Sequence, residues 1–324
     1  MSFNLKYAIE ASVFLWPPAD RVSSYKDPIS YQETFDQLRS VEGIEGIELY
    51  HPYDFEDIDV IEKCLDDNGL SVSAVGIGFF SEAKWQNGGV TSNNKKIRRE
   101  AIDVAKRAID AAAELKSKNI VFWPGQDGYD YFFQTDYQNK WDLMVAGLEE
   151  IASFNRNLNI GIEYKIKEPR THQIVSTASK ALKLAKETGM DNVGVTMDIG
   201  HALLCNENPA EEIVYLMKEK KLFHLHNNDN YADWDYDMLP GSVHFWENIE
   251  AHYWLYKLNY NGWINFDLFP TRLDATESSR QSIAHTKKII NFIKSLDGQK
   301  MERMIQEENV LEMQAYLWDR LFKI

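Results

Sequence analysis

Eight short runs rich in Val, Ile, Phe and Leu alternate with eight longer stretches of helical periodicity, and this rhythm limits the folds open to the chain. The runs expected as strands are 5–9, 46–50, 71–76, 119–123, 159–163, 193–197, 222–227 and 263–267. The helical stretches fall near 30–42, 57–67, 94–116, 137–156, 172–187, 209–220, 243–259 and 276–293. The third is the clearest, with Ile97, Ala101, Ile102, Val104, Ala105, Ala108, Ile109, Ala112 and Leu115 on one face. Each helix then serves as a crossover between parallel strands. Eight such pairs favour a closed (β/α)8 barrel. An open doubly wound sheet is the structural alternative, but no GxGxxG follows the first run, so its dinucleotide-binding version has no support.

The expected barrel covers residues 1–295, followed by a helical extension over 296–324. That extension ends in Leu311, Tyr316, Leu317, Trp318, Leu321 and Phe322. So many large apolar groups imply docking onto the barrel or onto a neighbouring subunit. With 35 basic and 50 acidic residues the net charge is −15, which repels a polyanion, so no nucleic-acid partner is expected. Cys64 and Cys205 match neither a metal spacing nor a disulfide framework. No apolar run is long enough for a bilayer, and the N-terminal MSFNLKYAIEASVF does not read as a signal peptide. A cytoplasmic setting is the expectation.

In such a barrel, chemistry sits where strands end. Glu163 closes the fifth run and is followed by Lys165. The sixth run leads to Asp198 and His201, and the seventh carries His224 and His226. A loop with Asp235 and Asp237 follows, and the eighth run ends in Asp267. His51 and Asp54 follow the second run. Taken singly, these have plainer readings: Asp198 as a helix cap, Asp235 and Asp237 in a solvated loop, His51 as a loop histidine. Gathered in one mouth, so many carboxylates cannot all stay ionised without a cation. Oxygen donors with one or two imidazoles suit Mn²⁺, Mg²⁺ or Co²⁺.

The ordered motifs resemble xylose isomerase, with a secondary similarity to L-rhamnose isomerases of the same TIM-barrel superfamily. They are GGVTSNNKKIRREAI (88–102), VFWPGQDG (121–128), GIEYKIKEPR (161–170), DIGH (198–201), LFHLHNN (222–228), WDYDMLPG (234–241) and FDLFPTR (266–272). The resemblance implies two adjacent divalent cations per subunit. One would be held by Glu163, Asp198, His226 and Asp267. The other would share Asp198 with His201, Asp235 and Asp237. It further implies that His51 with Asp54 opens the sugar ring, that Lys165 contacts a substrate oxygen, and that Trp16, Phe80 and Trp123 form aromatic walls. HNND (226–229) is similar to the HxND of the rhamnose branch and puts Asn228 among the substrate contacts. His224 competes with His226, since both point to one side of the strand. Three departures stand out: Asp198 replaces a glutamate, His226 an aspartate, and Phe269 a lysine.

The implied activity is aldose–ketose isomerisation, with hydrogen passing between C1 and C2 of an opened sugar by a metal-assisted hydride shift, in a homodimer or homotetramer. The alternative is a ketose epimerase of the superfamily, with one metal and two acidic acid–base residues. A non-catalytic sugar-binding barrel and the superfamily's DNA-directed, zinc-dependent branch fit less well.

Overall fold

A computed structural model of the chain describes residues 3–15, 25, 27, 29–55 and 57–322. Eight parallel strands close into a barrel. They are β1 (Lys6–Glu10), β2 (Gly46–His51), β3 (Ser71–Ile77), β4 (Asn119–Phe122), β5 (Asn159–Glu163), β6 (Val193–Asp198), β7 (Leu222–His226) and β8 (Trp263–Phe266). They pair in sequence order, and β8 closes on β1 through Lys6↔Trp263 to Ile9↔Phe266. The fold is the expected (β/α)8 barrel, and the strand limits differ from the sequence reading by a residue or so.

Helices follow each strand, the longest being Lys95–Glu114, Tyr137–Phe154 and Ala275–Lys294. Their starts are set by side-chain caps. Asn94 accepts from the Lys96 amide, Asp136 from Asn139 and Asp274 from Glu277. In Lys95–Glu114 the buried face is Ala101, Ile102, Val104, Ala105, Ala108, Ile109, Ala111 and Ala112, the stripe its periodicity predicts. The small residues let the helix lie close against the sheet. Ile109→Ala would open a cavity there, at about 2–5 kcal/mol.

The strand period of two sorts the sheet into two faces. On β2, Ile47 and Leu49 pack into the apolar layer beneath the helices, while Glu48 reaches histidines across the barrel and Tyr50 lines its mouth. The barrel interior is correspondingly polar: Glu10, Glu48, Thr196, His224, His226 and Asn265 are all buried there.

Loops at the C-terminal ends of the strands are tied down. Asp127 accepts from the amides of Gly89 and Thr91 and from the Thr91 hydroxyl, which explains why the GGVTS and GQDG motifs occur together. Gly88 sits at φ 98°, and a Cβ there would meet Asp127 Oδ1 at 2.8 Å, so glycine is required. After β7, Asp229 and Met238 exchange backbone hydrogen bonds, and Asp229 also takes the Val243 and His244 amides. The loop between them carries Asp235 and Asp237.

Beyond the barrel run two helices, Gly298–Gln306 and Val310–Leu321. The first buries Met301 and Met304; the second buries no side chain fully. It meets the barrel through Trp318 and Trp246, whose ring centroids are 5.9 Å apart, and through Arg320, which donates to the Ser295 carbonyl.

Candidate active site

Four of the strand-end residues converge. One donor atom from each of Glu163, Asp198, His226 and Asp267 lies within 4.8 Å of all the others. His226 Nδ1 lies 3.3 Å from Glu163 Oε1, 3.8 Å from Asp198 Oδ2 and 3.7 Å from Asp267 Oδ2. Neighbouring strands β5 to β8 supply them in turn, each at the last inward position or just after it. Asp198 serves twice. Its Oδ1 caps the helix Ile199–Leu204 by accepting the His201 amide at 2.8 Å, and its Oδ2 faces the cluster. The plain helix-cap reading and the ligand reading are both compatible with this one side chain.

The donor set fits a divalent cation. On its far side, His226 Nε2 lies 3.2 Å from Glu48 Oε2. A carboxylate only accepts, so Nε2 carries the hydrogen, and in the neutral ring Nδ1 is a bare lone pair. That buried Nδ1 makes no hydrogen bond and looks onto three carboxylates. Lone pair against carboxylate is repulsive unless a proton or a metal lies between them. The electrostatics agree. Burial, reinforced by Glu10, holds the Asp267 carboxyl well above the usual range, and burial also raises Asp198. Burial opposes charge on His226, yet Glu48 and Glu163 push its pKa well above normal.

A second group lies alongside. Lys165 Nζ is 2.6 Å from Asp235 Oδ2 and 2.5 Å from Glu168 Oε2, and His201 Nε2 is 2.9 Å from the same Asp235 oxygen. Burial works against the His201 cation, but Asp198 and Asp235 raise its pKa to about 10. Asp235 is driven well below the carboxylate range, Lys165 and His201 overcoming its burial. Asp237, penned among carboxylates, is pushed well above it by burial and then by Asp235 and Asp267. Asn228 bridges Asp198 Oδ2 at 3.0 Å and Asp237 Oδ1 at 3.2 Å. Among the described residues, Asp198, His201, Asp235 and Asp237 do not form a convergent set like the first, and Asp235 has a lysine as counter-ion.

These groups open onto a cleft of about 930 Å³. Phe80 and Trp123 wall it, their ring centroids 4.9 Å apart, and Lys165 Nζ lies 5.3 Å over the Trp123 ring. Gln126 reaches back to the Phe80 carbonyl at 2.8 Å and fixes that wall. Glu10, Tyr50, Glu168, Trp234 and Tyr236 also line the cleft, and the sequence reading gave none of them a role. Glu10 closes β1, so the strand-end position that marks Glu163 is the signal for it as well.

The structure takes His51 and Asp54 elsewhere. His51 is one position past Tyr50, so its ring leaves the barrel on the helix side, in a pocket with Phe55, Arg107, Asp110 and Glu114. Burial and then Arg107 lower its pKa. Asp54 Oδ2 accepts the Tyr50 amide at 2.6 Å, closing the turn after β2. Asn228, read as a substrate contact, is fully buried between carboxylates instead. Trp16 lies outside the described residues.

The cluster lies at the C-terminal ends of β5 to β8, the end of a parallel barrel where active sites are built. The chain belongs to the xylose isomerase-like TIM barrel family, whose model matches residues 35–289. Solved structures of similar fold include a D-tagatose 3-epimerase-like protein, at 21% identity and TM-score 0.68, over 89% of this chain and 98% of that one. An L-ribulose 3-epimerase matches at 17% and 0.69, over 93% and 98%. A 3-keto-D-glucoside 4-epimerase from E. coli matches at 18% and 0.66, over 88% and 100%. No helix among the described residues is long and apolar enough to cross a membrane.

Proposed function

We propose that the protein is a metal-dependent epimerase of a free ketose, moving a proton at a carbon beside the carbonyl. The observation that carries this reading is the convergence of Glu163, Asp198, His226 and Asp267 on one centre beside a cleft large enough for a sugar. The epimerases of like fold support it over the isomerase that the sequence motifs suggested. So does Lys165, which supplies the counter-ion at Asp235 where a second cation was expected.

A bound Mn²⁺, Mg²⁺ or Co²⁺ would polarise the sugar's carbonyl and neighbouring hydroxyl oxygens and so acidify the adjacent C–H. The chain supplies the rest. Glu163 and Asp267 stand at the two ends of the row β5 to β8, flanking Asp198 and His226. One carboxylate takes the proton and the other returns it to the opposite face. Phe80 and Trp123 present apolar surface to the sugar and exclude water from the reacting carbon. Lys165 and His201, held by Asp235, offer N–H donors to a substrate oxygen.

A second reading, aldose–ketose isomerisation with two cations, has one observation in its favour. Asp235, Asp237 and His201 line the same cleft as the first cluster. Turnover of a ketose panel in deuterated water separates the two. Proton transfer places solvent deuterium at the reacting carbon. A product free of deuterium, with activity lost in the Asp235→Asn/Asp237→Asn double variant, would overturn the epimerase in favour of the isomerase.

A further inference from the structure

Beneath the carboxylate cluster, three side chains from opposite walls of the barrel meet. Glu48 Oε2 lies 2.9 Å from His224 Nε2 and 3.2 Å from His226 Nε2. All three side chains are fully buried. The two imidazoles stand edge to face, with centroids 5.2 Å apart and planes at 83°. The strand period puts both histidines on the inner face of β7 and Glu48 on the inner face of β2, so the contact spans the barrel.

We propose that Glu48 is the positioning residue for the metal ligand His226, with His224 as the strut that holds Glu48 in place. The inference rests on the metal reading of the cluster above. Its physical basis is the acceptor-only character of a carboxylate. Because one oxygen receives both hydrogens, each imidazole must be protonated at Nε2. For His226 this leaves Nδ1, the nitrogen that faces Glu163, Asp198 and Asp267, free to bind a cation. The negative charge behind the ring also strengthens it as a donor. His224 lies one inward position further down β7, and its Nε2 is committed to Glu48. This separates the two histidines that the sequence left in competition: His226 ligates and His224 braces.

Glutamine at position 48 would keep the shape and replace one acceptor oxygen by an amide donor. It can no longer receive both Nε2 hydrogens on one anionic oxygen. Mn²⁺ affinity should fall about 10- to 100-fold in Glu48→Gln, measured by chelator competition. Glu48→Asp, which keeps the carboxylate, should recover part of that loss. A purely structural role predicts a lower melting temperature with unchanged affinity in the folded fraction. A direct measurement on the unaltered protein avoids dependence on how the variants fold. With diamagnetic Mg²⁺ bound, long-range nitrogen–carbon correlation spectra should show His226 and His224 both protonated at Nε2 and bare at Nδ1. A hydrogen on His226 Nδ1, or equal Mn²⁺ affinity in folded Glu48→Gln, would overturn the proposal. If the unaltered protein bound no divalent cation, the metal reading itself would fail, and that result is distinct from both.

Discussion

Where β5 to β8 end, Glu163, Asp198, Asp267 and His226 face one another without a lysine or arginine among them. A short way off, Asp235 is held by the Lys165 ammonium at 2.6 Å and by His201 at 2.9 Å. Both clusters are buried and acidic. One is balanced by a cation built into the chain, and the other is balanced only by something that can come and go. A covalently tethered ammonium cannot leave or change its coordination, so it suits a fixed wall. A bound metal offers open coordination positions, so it suits the reacting atoms. On the proposed function, the first cluster carries the chemistry and the second positions the substrate.

The widest gap between them should appear on neutralising one carboxylate in each. Glu163→Gln or Asp198→Asn removes one of the three anionic donors of the cluster. Metal binding should then be lost at micromolar Mn²⁺, and turnover should fall by about 10³-fold or more, as expected when several kcal/mol of charge stabilisation are removed. A Glu163→Gln protein that still bound Mn²⁺ and turned over normally would erase the distinction between the clusters.

Next in size is the reverse experiment, removing the built-in cation. Lys165 is 7% exposed and its partner Asp235 equally so. Lys165→Met leaves Asp235 buried with His201 and a long 3.5 Å hydrogen bond from Asn230 as its partners, and breaking a buried pair costs about 3–5 kcal/mol. Chemical unfolding of the metal-free protein measures this. The variant also sharpens the comparison. With the ammonium gone, Asp235 is free to join Asp198, His201 and Asp237, and Mn²⁺ titration should show a second, weaker site. Unchanged stability and a single site would mean that Lys165 does not balance Asp235.

A smaller effect follows from pH. In the folded metal-free protein the His201 pKa is raised from 6.5 to about 10. A group whose pKa is raised on folding stabilises the charged form. Its contribution is complete below about pH 6.5, shrinks as pH climbs, and is gone above about 10. Melting temperature should therefore decline between those limits, and Asp235→Asn should flatten the slope. The Lys165–Asp235 pair shows no such dependence in this window, since Asp235 stays ionised until strong acid. A flat profile in the parent protein would remove His201 from the balance.

The sequence carried most of this fold because each element is locally consistent: apolar runs of strand length, helical stripes, and Asn or Asp caps such as Asn94 and Asp274. Glu163, Asp198, His226 and Asp267 were legible because they close successive strands and sit within ordered motifs. Glu48 lies within β2, where an apolar run gives no sign of a site, while Glu10 closes β1 just past the expected run 5–9 and falls outside the ordered motifs. The Lys165–Asp235 pairing was invisible because it joins two loops through space, and local pattern does not report distant ion pairs. For His51 the resemblance implies the cleft, but strand parity puts its side chain on the outer face of β2, opposite to Glu48 and Tyr50.

That parity gives the last and smallest effect. Glu48 and Tyr50 face the barrel, so His51 must face away, and its ring lies beside Phe55 at 5.2 Å between centroids and beside Arg107. A histidine that shuttled the ring-opening proton would cost about 10²–10⁴-fold in rate on removal. From its observed position, His51→Ala should change kcat/KM by no more than a factor of about two to three, the range of a substitution away from the site. Tyr50→Phe should have the larger effect of the two, because Tyr50 lines the cleft. Its phenol is kept in the O–H form by burial and the surrounding carboxylates, and so can donate to a sugar oxygen. Comparing both variants on the same ketose reads out which face of β2 meets the substrate. A large loss in His51→Ala with none in Tyr50→Phe would reverse the assignment of inner and outer faces on that strand.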